Sequence, residues 1–369
     1  MKTRSFFVIA LVLSVACSSA GPDPKLEREP ASRPSEKPFP PHGAVELRFA
    51  PPPPEGALYQ LLVKYEGRTE NQPQGKDAER DAQSIDELLQ LELDYHQLPV
   101  ASASQDDVAT SLVLDSLRRR VRLAPPGSVH TIELADDRLR VIQNDKIDLD
   151  LRGAQPKGDI TPRVLLKRPF ALLVSDRFGN PKGVTLRGIP SAKRMLATMP
   201  LRETLGYLQV SFPDHPVAAG DDWTAKRYFA SPAGRVGIGV DLEYRLVGFE
   251  KLEGVPCARV SLRASRDEEK VPSALGFTFD QVRLQLNGDA WIGLETGLVE
   301  MVRLQDLVAV SYNRSTPGTP PARIRMRYET HASLQRLHVE TTAKLDWADG
   351  TKRFVDVEKG KSLGLKGAQ

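Results

Sequence analysis

Between Val236 and Leu246 every second residue is apolar: Val236, Ile238, Val240, Leu242, Tyr244 and Leu246 alternate with glycines and charged residues. A two-residue period puts one set on each face of a β-strand. About 11 residues at about 3.3 Å each make a strand roughly 35 Å long. The pattern recurs from Arg323 to Leu334, with Ile324, Met326, Tyr328, Thr330, Ala332 and Leu334 on one face. From Leu337 to Trp347 the parity flips to Leu337, Val339, Thr341, Ala343, Leu345 and Trp347. No Gly, Pro or Asn separates the two blocks, which predicts a β-bulge near Gln335 and Arg336 in one very long strand. Asp349-Gly350 then turns the chain into Thr351–Val357.

Shorter runs of the same kind fill the first half. Ala57–Tyr65 reads as the opening strand, and Asn71–Arg80 as a polar loop. Leu89, Leu91, Leu93 and Tyr95 alternate with polar residues, and Thr110–Leu123 continues the β character. A meander follows, with turns at Ala135-Asp-Asp137 and Gln143-Asn-Asp145, and Ile132, Leu134, Leu139, Val141, Ile147, Leu149 and Leu151 on one face. Phe170–Ser175 pairs with Gly183–Leu186. Later strands are expected at Cys257–Ala264, Val282–Leu286, Ala290–Leu294 and Leu298–Leu304. The helical signal is confined to Ala192–Met199, capped by Ser191, and Leu201–Leu208, with Pro200 between them. The expected fold is mainly β: strongly curved antiparallel sheets, an open barrel or two half-barrels, with a short helical insert near 191–208.

The N-terminus sets location. Residues 1–17 have a basic start, an apolar centre from Phe6 to Val15, and Ala16-Cys17 at the end. The apolar run is short for a membrane span and suits a secretory signal. It resembles the signal of bacterial lipoproteins, with Ser14 standing where that family carries Leu. The resemblance implies that Cys17 becomes the lipid-modified first residue and, from Ser18 and Ser19, an outer-membrane address. An ordinary signal cleaved nearby is the alternative. Residues 18–56 form a Pro-rich tether in which Val45-Glu-Leu-Arg-Phe49 can dock on the body. The expected divisions after it are a β half at 57–190, an insert and corner at 191–226, a long-strand β half at 227–358 and a frayed tail at 359–369. The formal charge of +3 falls to +1 once Lys2 and Arg4 leave with the signal, which gives no support for bulk capture of nucleic acid.

At Phe212-Pro-Asp-His-Pro-Val-Ala-Ala-Gly-Asp-Asp-Trp223 two prolines and a Gly-Asp turn present a Trp at a strand start. With Leu246-Val-Gly-Phe-Glu250 and Gly254-Val-Pro-Cys-Ala-Arg-Val260, the segment Pro216-Val-Ala-Ala-Gly-Asp-Asp-Trp223 resembles a pattern in uncharacterised bacterial envelope lipoproteins. That resemblance implies the architecture and the location and brings no activity with it.

The chain lacks a Gly-x-Ser-x-Gly, a phosphate-binding glycine loop, a Cys-x-x-Cys and a His-Glu-x-x-His. Asp221 and Asp222 suit a turn and strand start better than an acid–base pair. His331 and His338 are a weak metal pair at a spacing of seven. Cys257 shares the parity of Arg259, Ser261 and Arg263, the polar side of its strand. Arg118-Arg-Arg-Val-Arg122 and the stripe Arg323, Arg325, Arg327 read as solvated faces, with lipid headgroups as the alternative for the stripe. Trp223, Trp291 and Trp347 suit either packing or a ligand face. The expectation is a non-enzymatic, lipid-anchored envelope protein without cofactor or metal. Its partners are the membrane, through its anchor, and an apolar ligand or an envelope protein. A structural or interaction module without a small ligand is the alternative.

Overall fold

The computed structural model describes Phe39 and residues 43–74, 83–102, 104–125, 127–153, 161–166, 168–188, 205, 208–230, 237–272, 278–314 and 321–338. Eight long strands dominate. They are β1 (Ala57–Pro73), β2 (Gln83–Val100), β3 (Asp107–Ala124), β10 (Gly237–Leu252), β11 (Val255–Pro272), β12 (Thr278–Gly293), β13 (Val299–Arg314) and β14 (Ala322–Leu337). Shorter strands are β4 (Ser128–Ala135), β5 (Arg138–Gln143), β6 (Lys146–Arg152), β7 (Pro169–Asp176), β8 (Pro181–Leu186) and β9 (Asp222–Ala230). Pro162–Leu166 forms the one-turn helix α1, which the sequence reading did not anticipate.

All fourteen strands lie in one antiparallel sheet of order β6-β5-β4-β3-β2-β1-β14-β13-β12-β11-β10-β9, with β7 and β8 branching from β3. The sheet is not closed by strand pairing. The meander turns obey local chemistry: Asp136-Asp137, Asn144-Asp145 and Glu253-Gly254 all take positive φ, as two-residue hairpin loops require to match strand twist. The branch arises at a register shift between Asp94 and Tyr95 on β2, where Asp115 is the extra residue of β3. Before it β3 pairs with β7, and after it with β4. The two meanders join where β1 pairs with β14, from Leu58↔Leu337 to Pro73↔Ala322 without a shift. That continuity corrects the bulge expected at Gln335 and Arg336. The inward parity of Arg336 is tolerated because Glu300 neutralises it. Pairing also extends β1 through Pro73, so the loop expected from Asn71 begins later.

One register row shows how the core is built. Leu151, Leu139, Leu134, Leu117, Leu93, Leu61, Leu334, Val302, Ala290, Val260 and Leu246 oppose one another in turn across eleven strands, and all are buried. One residue along each strand the other face reads Asp150, Arg140, Glu133, Arg118 and Glu92 across β6 to β2. On the other side of the sheet it reads Arg303, Asp289, Ser261, Arg245 and Asp222. Opposite charges facing each other across strands are the stable arrangement for a solvated sheet face.

The apolar face of the sheet is buried in one continuous core. Residues 209–212 touch both the β7–β8 branch and the β9 edge of the sheet. On one side Gln209 Nε2 donates to Ser175 Oγ at 2.9 Å, Phe212 N to Phe178 O at 2.7 Å, and Ser211 Oγ to Asn180 Oδ1 at 2.6 Å. On the other, Trp223 Nε1 donates to Ser211 O at 2.9 Å and Ser211 N to Tyr244 Oη at 3.3 Å. This segment clasps the β7–β8 turn to β9 and β10. The docking expected of Val45–Phe49 is present: Val45 and Val217 exchange backbone bonds at 2.8 Å, and Phe49 packs on Phe212 at 5.7 Å. The helices expected at 191–208 lie outside the described residues, apart from Leu205 and Leu208, which are buried. Cys17, the tether before Phe39, Trp347 and the hairpin at Asp349-Gly350 lie outside them too.

Candidate functional site

The inner face is the largest apolar feature. Segments that are not part of the sheet pack over one end of it. There Phe49, Pro52, Leu205, Leu208 and Val210 meet Tyr59, Tyr95, Leu298 and Leu334 around a small, partly open cavity of about 50 Å³. Burial raises the hydroxyl pKa of Tyr59 and Tyr95, so both stay neutral, and Gln97, Thr110 and Gln209 add polar groups to the same lining.

The corner is the fastener of that end. Trp223 is buried and stacks on Tyr244 with ring centroids 5.5 Å apart and planes 7° from parallel. Asp221 Oδ2 accepts from Ala218 N at 2.8 Å, Gly220 N donates to Leu246 O at 2.7 Å, and Leu246 N donates to Asp221 O at 3.0 Å. Asp222 is exposed and lies 3.8 Å from Arg245 Nε. The two acids therefore shape a turn and start a strand, and their carboxylates do not converge.

A second polar centre was not singled out from the sequence. Glu300, with a side chain only 1% exposed, stands at the register shift between β12 and β13 and bonds Arg336 Nη1 and His338 Nε2, both at 2.9 Å. Burial pushes its carboxyl pKa up, but the bond from His338 and the charge of Arg336 outweigh it, and the net shift is down. The signal was available: Glu300 has the parity of Val302 and Leu304, and Arg336 that of Leu334. An acid and a base on the apolar parity of neighbouring strands point to a buried pair.

Cys257 does lie on the outer side, but it is fully buried in a small separate cluster with Trp291 and Met301. Burial, helped by the charges of Glu300 and Glu250, pushes its thiol up to about 11, which keeps it protonated at neutral pH. Trp291 donates to Glu250 and sits under Arg259 and Arg303, 5.5 and 5.7 Å from its ring centre. Trp223 and Trp291 thus lie on opposite faces and do not make one ligand platform.

The arginine groups are interleaved with acids. Arg325 opposes Glu70, and Arg327 opposes Arg68, which in turn opposes Asp86. Arg122 and Arg327 meet Glu66, Asp86 and Glu329 around an outer groove of about 530 Å³. A second groove of about 790 Å³, at the β9–β12 end of the sheet, is lined by Lys226, Arg227, Asp241, Glu243, Arg263 and Glu268. Neither presents a uniform field to an anionic surface. His331 bonds Glu329 and His338 bonds Glu300, so the two histidines serve separate acids. Among the described residues no group of three or more His, Cys, Asp or Glu is placed to hold a metal ion, and no helix is long and apolar enough to cross a membrane.

No protein-family model and no curated protein matches the chain. Among solved structures it is similar to lipovitellin, described for its lipid–protein interactions, at 9% identity and a TM-score of 0.35. That match takes in 80% of this chain and 27% of lipovitellin. It is also similar to Pseudomonas aeruginosa OpdQ at 8% identity and a TM-score of 0.19, over 76% of this chain and 99% of that one. P. aeruginosa OccK5 (OpdH) gives 8% identity and 0.18, over 76% and 99%.

Proposed function

We propose that this chain is a non-enzymatic, lipid-anchored protein of the bacterial cell envelope whose curled sheet holds an apolar ligand against its inner face. One observation carries the reading: an unbroken apolar row crosses eleven strands on the buried side, while charged residues one position away solvate the other side. Curled antiparallel sheets with apolar interiors are hosts for apolar ligands. In this reading Cys17 carries the lipid, and the Pro-rich tether spaces the sheet from the outer membrane, facing the periplasm.

A second reading is a structural or partner-binding module without a small ligand. It is favoured by Leu61, Leu93, Val260 and Val302, which show no exposed surface at all. Native mass spectrometry of the mature protein from its own host separates the two. A co-purifying mass that organic extraction removes supports the ligand reading. A bare chain that also fails to take up an apolar fluorophore supports the module.

A further inference from the structure

The main path of the sheet ends in two free edges: among the described residues β6 pairs only with β5, and β9 only with β10. A free edge presents a row of unpaired N–H and C=O groups on which another strand can be laid. The two edges carry different charge patterns. On the outer side of β6 stand Lys146, Asp148, Asp150 and Arg152. Laid antiparallel on a second copy of itself and centred on Leu149, β6 sets Asp148 against Asp150 and Lys146 against Arg152. Centring on Asp148 or Asp150 sets an aspartate against itself. On the outer side of β9 stand Asp222, Thr224 and Lys226, all exposed. Centred on Thr224, the same operation sets Asp222 against Lys226 twice and Thr224 against Thr224. On the inner side it sets Trp223 against Ala225, the bulkiest residue of the stretch against the smallest. Other registers lose this match. Centring on Asp222 or Lys226 opposes like charges, and centring on Trp223 or Ala225 leaves both charges unmatched.

We propose that β9 is a self-association edge, through which two copies of this chain pair antiparallel along Asp222–Lys226 about a two-fold axis at Thr224. The charge alternation of the outer face then runs through the junction. It reads Asp289, Ser261, Arg245 and Asp222 in one copy and continues with the partner's Lys226 and the partner's Asp241. Opposite charges facing each other across strands stabilise a pair, and like charges destabilise it. A two-fold contact of this kind closes on itself and stops at two copies. The competing occupant is β6 of another copy, whose Arg152 and Asp148 can face Asp222 and Lys226. That register sets Asp150, which Arg138 already holds by two hydrogen bonds, against Thr224, and leaves Lys146 without an acid. It is also a head-to-tail contact, which adds copies without limit. The pairing uses the edge of the sheet and holds whether or not the inner face takes a ligand.

The test is sedimentation velocity of the full mature chain in non-ionic detergent, at concentrations from about 1 to about 100 µM. The proposal predicts a concentration-dependent dimer and nothing larger. Asp222→Lys and Lys226→Asp each set like charges against one another twice, so each should weaken the dimer at least about tenfold. Mixing the two variants in equal amounts should restore a dimer, because every reversed charge then faces an opposite one, and that restoration shows that both variants fold. Thr224→Cys should cross-link to its own copy through a short bis-maleimide, with wild type, whose Cys257 is buried, as the blank. A wild-type chain that stays monomeric throughout would overturn the proposal, as would a dimer that neither variant weakens. A mixture that remains monomeric would overturn it too. Species larger than the dimer that Arg152→Asp abolishes would assign the β9 edge to β6 and overturn the two-fold contact.

Discussion

The two faces of this sheet are one residue apart along every strand and obey different physics. Leu93 on β2 opposes Leu61 and Leu117 and is fully buried, and its neighbour Glu92 opposes Arg118 on the solvated side. The inner face gains stability from apolar area, about 1.5–3 kcal/mol for each large side chain fully buried. The outer face consists of ion pairs in water, each contributing about 0–1 kcal/mol. Cohesion therefore comes from inside, and the outer pattern sets register and solubility.

The two faces should differ most on β2, where Leu93→Ala should cost about 2–5 kcal/mol, while Glu92→Ala should stay within about 1 kcal/mol. Comparable losses in urea melts of the two variants would erase the distinction between the faces. Next in size is a charge that has crossed to the inner side. Glu300→Ala leaves the partly buried Arg336 without its carboxylate, and chemical denaturation should show a loss of up to about 3 kcal/mol. The pH dependence has a defined sign. The carboxyl pKa is lowered in the folded state, so this contribution is fully present above the unfolded carboxylate value and lost as pH falls through the folded one. Wild type should lose stability in acid more steeply than Glu300→Gln, and parallel acid-denaturation curves would remove Glu300 from the account.

Trp223→Phe keeps an aromatic ring over Tyr244 and removes the donor to Ser211 O, so a loss of about 1–3 kcal/mol is expected from the unsatisfied carbonyl. The smallest effect belongs to Arg140→Ala, 3.0 Å from Glu133: under about 1 kcal/mol, and smaller still in high salt.

Much of this was legible because a strand's period of two is written locally. The alternations at Leu89–Tyr95 and Val236–Leu246 assigned each residue to a face, and Asp136-Asp137 and Asn144-Asp145 marked hairpins by residue type alone. Partner choice was not legible. Nothing near Leu58 announces that it will pair with Leu337, because alternation fixes which face a residue takes and is silent about which strand lies beside it. The inward charges escaped for a related reason. Glu300, Arg336 and Arg227 look like surface residues until their parity is compared with apolar neighbours and their partners on other strands are known. The corner was legible as a joint, and its link to the β7–β8 turn through Ser211 and Asn180 emerged only in three dimensions.

The claim that the inner face is the ligand side can be tested with the protein's own tryptophans. Trp223 lies on the inner parity and Trp291 on the outer one. Two chains would be prepared, one keeping Trp223 alone and one keeping Trp291 alone, and each titrated with 11-bromoundecanol, a neutral heavy-atom quencher. The account predicts saturable quenching of Trp223 and a Trp291 signal that stays flat. Quenching of Trp291 alone, or of both to the same extent, would contradict it.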